Sequence, residues 1–277
     1  MIRLAVRCPA ERAEAVLAEL LELAPGGVEQ VDAPDGLEGI VEYAVYGARG
    51  ELPELGGLDA VSGAGRVEVH ADEVPDDWAE RWKRFYFPVL VAGRLYVRPP
   101  WEEPAVRGGV EEVVIDPGGA FGTGTHPTTR MCLELLLEVQ ARGSFCDLGC
   151  GSGVLAIAAA KLGFAPVEGV DADRAALAET GRNARANGVV VQVRHTDLRR
   201  GTAPVAGVVA ANLTAGLCAA VAQSWAMRGE RPERAIVSGF LRAEANAVAA
   251  ALAEAGLAEQ RRLVSGDWAA LRLSSAA

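Results

Sequence analysis

Ile2, Leu4 and Val6 alternate with Arg3, Ala5 and Arg7, a period of two that predicts a half-buried strand ended by Pro9. From Ala10 to Ala24 the period lengthens to that of a helix, with Val16, Leu17, Leu20 and Leu21 on one face. Pro25, Gly26 and Gly27 stop it. Strand-like segments return at Val28 to Asp32 and Gly39 to Tyr46, separated by a turn around Pro34 to Gly36, and again at Arg66 to His70. A β-α-β-β unit with a further strand predicts a small ferredoxin-like α+β domain over residues 1–70. Residues 71–90 read as a connector rich in acidic and aromatic side chains. Trp78, Trp82 and Tyr86 are spaced to share one helical face, either packing the connector against a domain or meeting a substrate or cofactor.

Residues 91–277 carry a different pattern. Short strands are expected at Arg94 to Arg98 and Val113 to Ile115, and a helix from Thr129 to Val139. A βα repeat opens at Phe145, another has its strand at Val167 to Val170, and a third strand runs from Val189 to His195. Val205 to Ala210 is a continuous apolar run, as expected of a central parallel strand covered on both faces. A helix from Ala215 to Met227, a strand from Arg234 to Val237 and an alanine-rich helix containing Asn246 to Ala253 follow. The last strands, Gln260 to Val264 and Trp268 to Leu273, are joined only by Ser265-Gly266-Asp267. That link is too short for a parallel crossover, so they pair antiparallel. The expected fold class is α/β: a seven-stranded, mostly parallel Rossmann-like sheet with an antiparallel terminal hairpin, preceded by the ferredoxin-like domain. The hairpin separates this sheet from the all-parallel dinucleotide fold and favours a class I S-adenosylmethionine (AdoMet) methyltransferase.

Composition narrows the picture further. A chain of 277 residues, half of them apolar, has room for one large α/β domain and a small one. The formal net charge of -10 argues against broad contact with nucleic acid or an anionic membrane. No apolar run reaches the roughly eighteen residues of a membrane span, and the N-terminus lacks the hydrophobic region of a signal sequence. Five cysteines without a C-x-x-C pair, and only three histidines, read as free thiols with no metal site. A cytoplasmic monomer is expected.

The candidate chemistry centres on D-L-G-C-G-S-G, Asp147 to Gly153. Gly149 and Gly151 permit a tight turn with backbone amides facing a ligand, and Gly153 lets the next helix approach. Asp147 can accept, directly or through water, from the ammonium of an AdoMet tail, whereas beside a pyrophosphate its charge would repel. Asp171 closes the next strand and can hold both ribose hydroxyls; Asp197 follows the third and can accept from the adenine amino group. The alternative for both acids is a helix cap. After the apolar run, the Asn212 amide oxygen and the neighbouring Leu213 carbonyl can orient an amine lone pair toward a methyl group; alternatively, Asn212 caps the helix that follows. Pro117 to Thr129, P-G-G-A-F-G-T-G-T-H-P-T-T, reads as a loop running into a helix. Phe121 can cover the adenine or line the entrance. One hydroxyl of Thr128 and Thr129 can cap the helix while the other reaches the cofactor. His126 is open to three roles, as loop architecture, a contact or a base, whereas His70 and His195 read as structural.

Together with D-W-A-E-R-W-K-R-F-Y-F-P, G-V-D-A-D, A-N-L-T-A and the terminal G-D-W-A-A-L, these motifs closely resemble the ribosomal protein L11 methyltransferases. The resemblance implies an AdoMet-dependent enzyme that methylates lysine side chains and the N-terminal amine of ribosomal protein L11. It implies that a small N-terminal domain recognises L11 and that a flexible connector presents it to the catalytic domain. The Thr128-Thr129 pair, Gly149, Asp171 and Asn212 match cofactor-binding positions of that family, and Asn212 with the Leu213 carbonyl resembles its amine-orienting pair. Competing expectations are a methyltransferase of another protein, a small molecule or a nucleic acid, a non-catalytic protein-binding domain, and an NAD-dependent oxidoreductase.

Overall fold

The computed structural model describes residues 2–9, 13, 16, 20, 29–31, 40–47, 68–73, 86–104, 108–117 and 124–275. The chain divides into two units, Met1–Phe85 and Tyr86–Ala277.

In the first unit, β1 (Ile2–Pro9), β2 (Glu29–Val31), β3 (Ile40–Gly47) and β4 (Glu68–Glu73) form one antiparallel sheet in the order β2-β3-β1-β4. Ala13, Val16 and Leu20 are helical, and Val16 and Leu20 are buried with Val6, Cys8, Tyr43 and Val45. This is the ferredoxin-like strand order, with β1 at the centre because the helical crossover leaves room for β3 between β1 and β2. Arg7 and Glu42 face each other in register and are ion-paired, which compensates the charge of a buried Glu42. β4 runs to Glu73, beyond the expected His70, because its partner β1 continues in register to Ile2; at a sheet edge, pairing rather than apolar alternation sets the length. Trp78 and Trp82 lie outside the described residues.

The second unit begins with a sheet that the strand pattern did not separate out. β5 (Val89–Val91) and β6 (Leu95–Arg98) pair antiparallel, and β6 pairs parallel with β7 (Glu111–Val114). The β5–β6 turn has Ala92 and Gly93 both at positive φ, 46° and 68°, closed by the Arg94 N–H donating to the Val91 carbonyl at 3.0 Å.

The main sheet comprises β8 (Phe145–Leu148), β9 (Val167–Asp171), β10 (Gln192–His195), β11 (Val208–Asn212), β12 (Arg234–Leu241), β13 (Leu257–Ser265) and β14 (Trp268–Ser275). Its order is β10-β9-β8-β11-β12-β14-β13, with only β14 antiparallel to its neighbours. One face packs on α1 (Pro127–Leu137) and α2 (Val154–Leu162), whose apolar side chains share a core with β5–β7 and with Ala184 of α3 (Arg174–Ala186). The other packs on α4 (Ala215–Arg228) and α5 (Ala245–Glu254) through Val221, Trp225, Val248 and Leu252. β8 and β11 adjoin, and the chain leaves them toward opposite sides of the sheet, so a crevice opens at their carboxyl ends.

Strand β11 is displaced from the expected Val205–Ala210 to Val208–Asn212, because its register is set by β8: Val208 lies opposite Phe145, and the Gly207 N–H donates to Ser144 Oγ at 2.9 Å. Asn212 is therefore the last residue of the strand. β12 extends past the expected Val237 to Leu241 through an irregularity between Ser238 and Phe240.

Candidate active site

The turn after β8 is built on three left-handed glycines, Gly149, Gly151 and Gly153, with φ of 72°, 54° and 84°. The N–H groups of Gly149 and Cys150 donate to the Val170 carbonyl at 2.8 and 3.0 Å, tying the turn to β9. A Cβ on Gly149 would lie 2.5 Å from Leu213 Cδ2, and one on Gly153 would lie 2.8 Å from Thr180 Cγ2 of α3. Gly149 thus admits a side chain arriving from β11, and Gly153 allows the approach of α3.

Asp171, at the end of β9, accepts from the Gly151 N–H through Oδ2 at 3.0 Å and from the Asp173 N–H through Oδ1 at 2.9 Å. The cap of α3 is Asp173 instead, through its bond to the Ala175 N–H at 2.8 Å. Asp197 accepts from the Arg199 N–H at 2.9 Å, which makes it a turn residue and leaves its second oxygen 3.9 Å from Arg200 Nε.

Asp147 is 1% exposed. Its Oδ2 accepts from the Ala156 N–H at 3.1 Å, satisfying an amide in the first turn of α2, a helix whose N-cap Gly153 has no side chain to do so. Its Oδ1 is buried and has no hydrogen-bond partner among the described residues. Burial raises the Asp147 pKa to about 7; the Ala156 N–H opposes the shift and the Asp171 charge adds to it.

Asn212 does not cap α4, whose N-cap is Thr214. Its Nδ2 donates to Thr129 Oγ1 at 3.2 Å, and its Oδ1 is buried without a partner among the described residues. The Leu213 N–H donates to the Ser238 carbonyl at 2.8 Å, and the Leu213 carbonyl lies 3.6 Å from Cys218 Sγ.

Thr128 and Thr129 are both buried. Neither provides the cap expected of one of them. The N-cap of α1 is His126, whose Nδ1 accepts from the Thr128 N–H at 3.4 Å and lies 2.7 Å from Thr128 Oγ1. Pro127 follows as the first helical residue, its fixed φ suited to that position, so α1 starts two residues before the expected Thr129. The His126 ring stands edge-on to Trp268 with centroids 5.0 Å apart, and burial lowers its pKa. Phe121 lies outside the described residues.

These elements bring Thr129, Asp147, Gly149, Gly151, Asp171 and Asn212 around one cavity of about 410 Å³, which Leu213 also lines. An adjoining cavity of about 520 Å³ shares Gly149, Asp171 and Leu213 with it and adds Asp197. Both volumes fall in the range of small-molecule and cofactor sites, roughly 300–1,000 Å³. Thr128 and Gly153 line neither. The acceptors present fit AdoMet: carboxylates at the end of β9 and just after β10 for hydroxyls and an amino group, and the carboxylate oxygen of Asp147 without a partner among the described residues, beside the glycine turn, for an ammonium. Among the described residues, no cluster of His, Cys, Asp and Glu is arranged to hold a metal, and no helix is long and apolar enough to cross a membrane.

Three residues with evident positional roles escaped the motif reading. Gly239, at φ 92°, would place a Cβ 2.6, 2.7 and 2.8 Å from the O, N and C of Leu213. The available signal was a glycine two residues past the expected strand end and followed by apolar Phe240 and Leu241, a setting that marks a bulge or a close backbone approach. Asn183, in the last turn of α3, and Asn187, its C-cap, lie four residues apart. The Asn187 side chain accepts from the Val114 N–H at 2.8 Å and donates to the Val114 carbonyl at 2.6 Å, continuing the hydrogen bonding of β7. Asn183 accepts from the Asp116 N–H at 3.1 Å and donates to the Ser152 carbonyl at 3.0 Å, joining the start of the Pro117–Thr129 segment to the glycine turn. Two asparagines at i and i+4, poor helix formers, were the signal.

Comparison with known proteins places this geometry in context. The family model of ribosomal protein L11 methyltransferase (PrmA) matches residues 55–275. The ribosomal protein L11 methyltransferase of Heliobacterium modesticaldum is 36% identical over 269 residues, covering 92% of this chain and 85% of that protein. That of Pelotomaculum thermopropionicum is 42% identical over 199 residues, covering 71% of this chain and 65% of that protein. The crystal structure of ribosomal protein L11 methylase from Lactobacillus delbrueckii subsp. bulgaricus aligns with a TM-score of 0.61 at 26% identity, covering 69% of this chain and 98% of that one.

Proposed function

The chain belongs to the ribosomal protein L11 methyltransferase family, and from that premise we propose that its substrate is ribosomal protein L11, methylated on lysine side chains and the N-terminal amine. It is an AdoMet-dependent N-methyltransferase. Residues 91–277 are assigned the chemistry, residues 1–70 the recognition of L11 and residues 71–90 the link between them.

AdoMet supplies a methyl group on a sulfonium, a good leaving group for in-line displacement. Asp171 is assigned the ribose hydroxyls, Asp197 the adenine amino group and Asp147 the ammonium of the methionine tail, with Gly149 and Gly151 clearing space along the turn. Thr129 lines this cavity and Thr128 does not, which favours Thr129 of the pair.

The acceptor amine is mostly protonated at neutral pH and must lose a proton before its lone pair can attack. No dedicated base is assigned among the described residues, and that proton goes to solvent. Asn212 Oδ1 then accepts an N–H of the neutral amine, which turns the lone pair away from the amide and toward the methyl; the Leu213 carbonyl is the second acceptor. Positioning of this kind is the main task in a direct displacement.

The observation that carries the reading is the buried, unpartnered Oδ1 of Asn212 at the end of β11. An unsatisfied buried acceptor costs about 1–3 kcal/mol, and an incoming amine N–H offsets that cost.

The test is mass spectrometry of purified L11 incubated with AdoMet and the protein. Methyl additions on L11 amines are expected, and Asn212→Ala should slow them by about 10²-fold while calorimetry still registers AdoMet binding. Absence of any mass gain on L11 with the wild-type protein would sink the substrate assignment; undiminished transfer by Asn212→Ala would sink the role of Asn212.

A further inference from the structure

Thr129 occupies the first turn of α1 and is 0% exposed. A threonine at such a position commonly serves the helix start, but that task is already filled. His126 caps α1, and the Thr128 hydroxyl lies against the same ring nitrogen. The Thr129 hydroxyl is instead met, at 3.2 Å, by the side-chain nitrogen of Asn212, 83 residues later in the chain.

A side-chain amide has two faces of nearly equal shape and opposite function, related by a half-turn about its last rotatable bond. With its oxygen toward an acceptor amine, the amide takes an N–H and leaves the nitrogen lone pair free to attack. With its NH₂ group there, it donates into that lone pair and withholds the electrons needed for the new bond. The orientation of Asn212 therefore decides whether it helps or hinders.

We propose that Thr129 is a positioning residue for Asn212: its hydroxyl oxygen holds Nδ2, which presents Oδ1 to the acceptor amine. This rests on the reading of Asn212 as the amine-orienting group. Thr129 lines the same cavity as Asn212, Asp147 and Asp171, so it acts within the site, through Asn212. This role is additional to a contact with the cofactor, and it is expressed in the rate at saturating AdoMet.

The experiment compares Thr129→Val, which keeps the shape and removes the acceptor, with Thr129→Ser, which restores it, and with Thr129→Ala as a smaller second variant. The acceptor is L11, and AdoMet affinity is measured separately by calorimetry. At saturating AdoMet, Thr129→Val and Thr129→Ala are expected to lower kcat by about tenfold, the scale of one lost hydrogen bond, over and above any change in AdoMet affinity. Thr129→Ser is expected to recover kcat to within about threefold of wild type. In an Asn212→Ala background, Thr129→Val should cost nothing further, since the group it positions is gone.

NMR of the side-chain amide reads the bond without any acceptor: a slowly exchanging Asn212 Nδ2 proton in wild type and Thr129→Ser, lost in Thr129→Val. The proposal is overturned if Thr129→Val keeps wild-type kcat, if it loses AdoMet affinity with kcat intact, if the loss persists in the Asn212→Ala background, or if the NMR signature is indifferent to the hydroxyl. Wild-type kcat in Asn212→Ala itself would mark failure of the underlying reading, independently of Thr129.

Discussion

Replacing Gly239 by alanine perturbs the Leu213 backbone beside Asn212 from a position that does not itself line the crevice. The added Cβ would lie 2.6–2.8 Å from the O, N and C of Leu213, which is 0.6–0.8 Å short of ordinary contact at 3.4 Å. All three atoms are backbone, held by the Leu213 N–H bond to the Ser238 carbonyl, so no rotamer change relieves the clash. A left-handed φ costs an L-residue about 1–2 kcal/mol, and overpacking a tight site about 1–3 kcal/mol. Taken at the middle of each range, the variant is destabilised by about 3.5 kcal/mol, or roughly 7–14 °C in Tm for a unit of this size.

The same shift moves the residue after Asn212 by a large fraction of an ångström. Misplacement by about 1 Å can cost about 10²-fold in rate, so kcat should fall by about ten- to a hundredfold. AdoMet affinity should change far less, because the glycine turn and Asp171 belong to β8 and β9. Differential scanning calorimetry, titration with AdoMet and steady-state kinetics on the folded protein separate the three effects. Wild-type Tm together with wild-type kcat would refute the close approach as a constraint. A lowered Tm with unchanged kcat would refute its positional half.

Two further perturbations probe the cofactor side. Asp171→Ala removes a carboxylate that accepts from Gly151 and Asp173 and is assigned the ribose, so AdoMet should bind about 10–100-fold more weakly by calorimetry; unchanged affinity would remove it from the site. Asp147 has a folded pKa raised from 3.8 to about 7, so the folded protein retains a proton that the unfolded chain releases across that window. Its contribution to stability is full below the unfolded value and is lost as pH rises through about 7, so Asp147→Asn should flatten the fall in Tm over that range. A cation beside Oδ1 favours the ionised form, so AdoMet affinity should rise by up to about tenfold per pH unit from pH 5.5 to 7, and that rise should vanish in Asp147→Asn.

Much of the catalytic unit was legible along the chain. The strands and helices from Phe145 onward follow from changes of period, and the terminal hairpin follows from the shortness of Ser265-Gly266-Asp267. Asp171 was legible for a related reason: a carboxylate at the end of an apolar strand sits where a parallel sheet opens. Less legible were segments whose partners lie far away in sequence. Leu95–Arg98 and Glu111–Val114 read as strands, yet four residues of alternation do not say that they form a sheet of their own with Val89–Val91. The strand ending in Asn212 was expected three residues too early, because Val205 is apolar but 39% exposed and pairing with β8 starts only at Val208.

By itself, then, the sequence determined the order and type of most elements, the glycine turn at Asp147–Gly153 that is proposed to cradle the methyl donor, and the resemblance that named the family. These depend on local periodicity, turn chemistry and short motifs. Only the tertiary structure decided that His126 rather than a threonine caps α1, that Asp147 serves α2 as well as the crevice, that Thr129 meets Asn212, and that Gly239 admits Leu213. Each of those depends on two segments brought within hydrogen-bond or contact distance by the sheet, and a one-dimensional pattern carries no record of which distant partner will arrive.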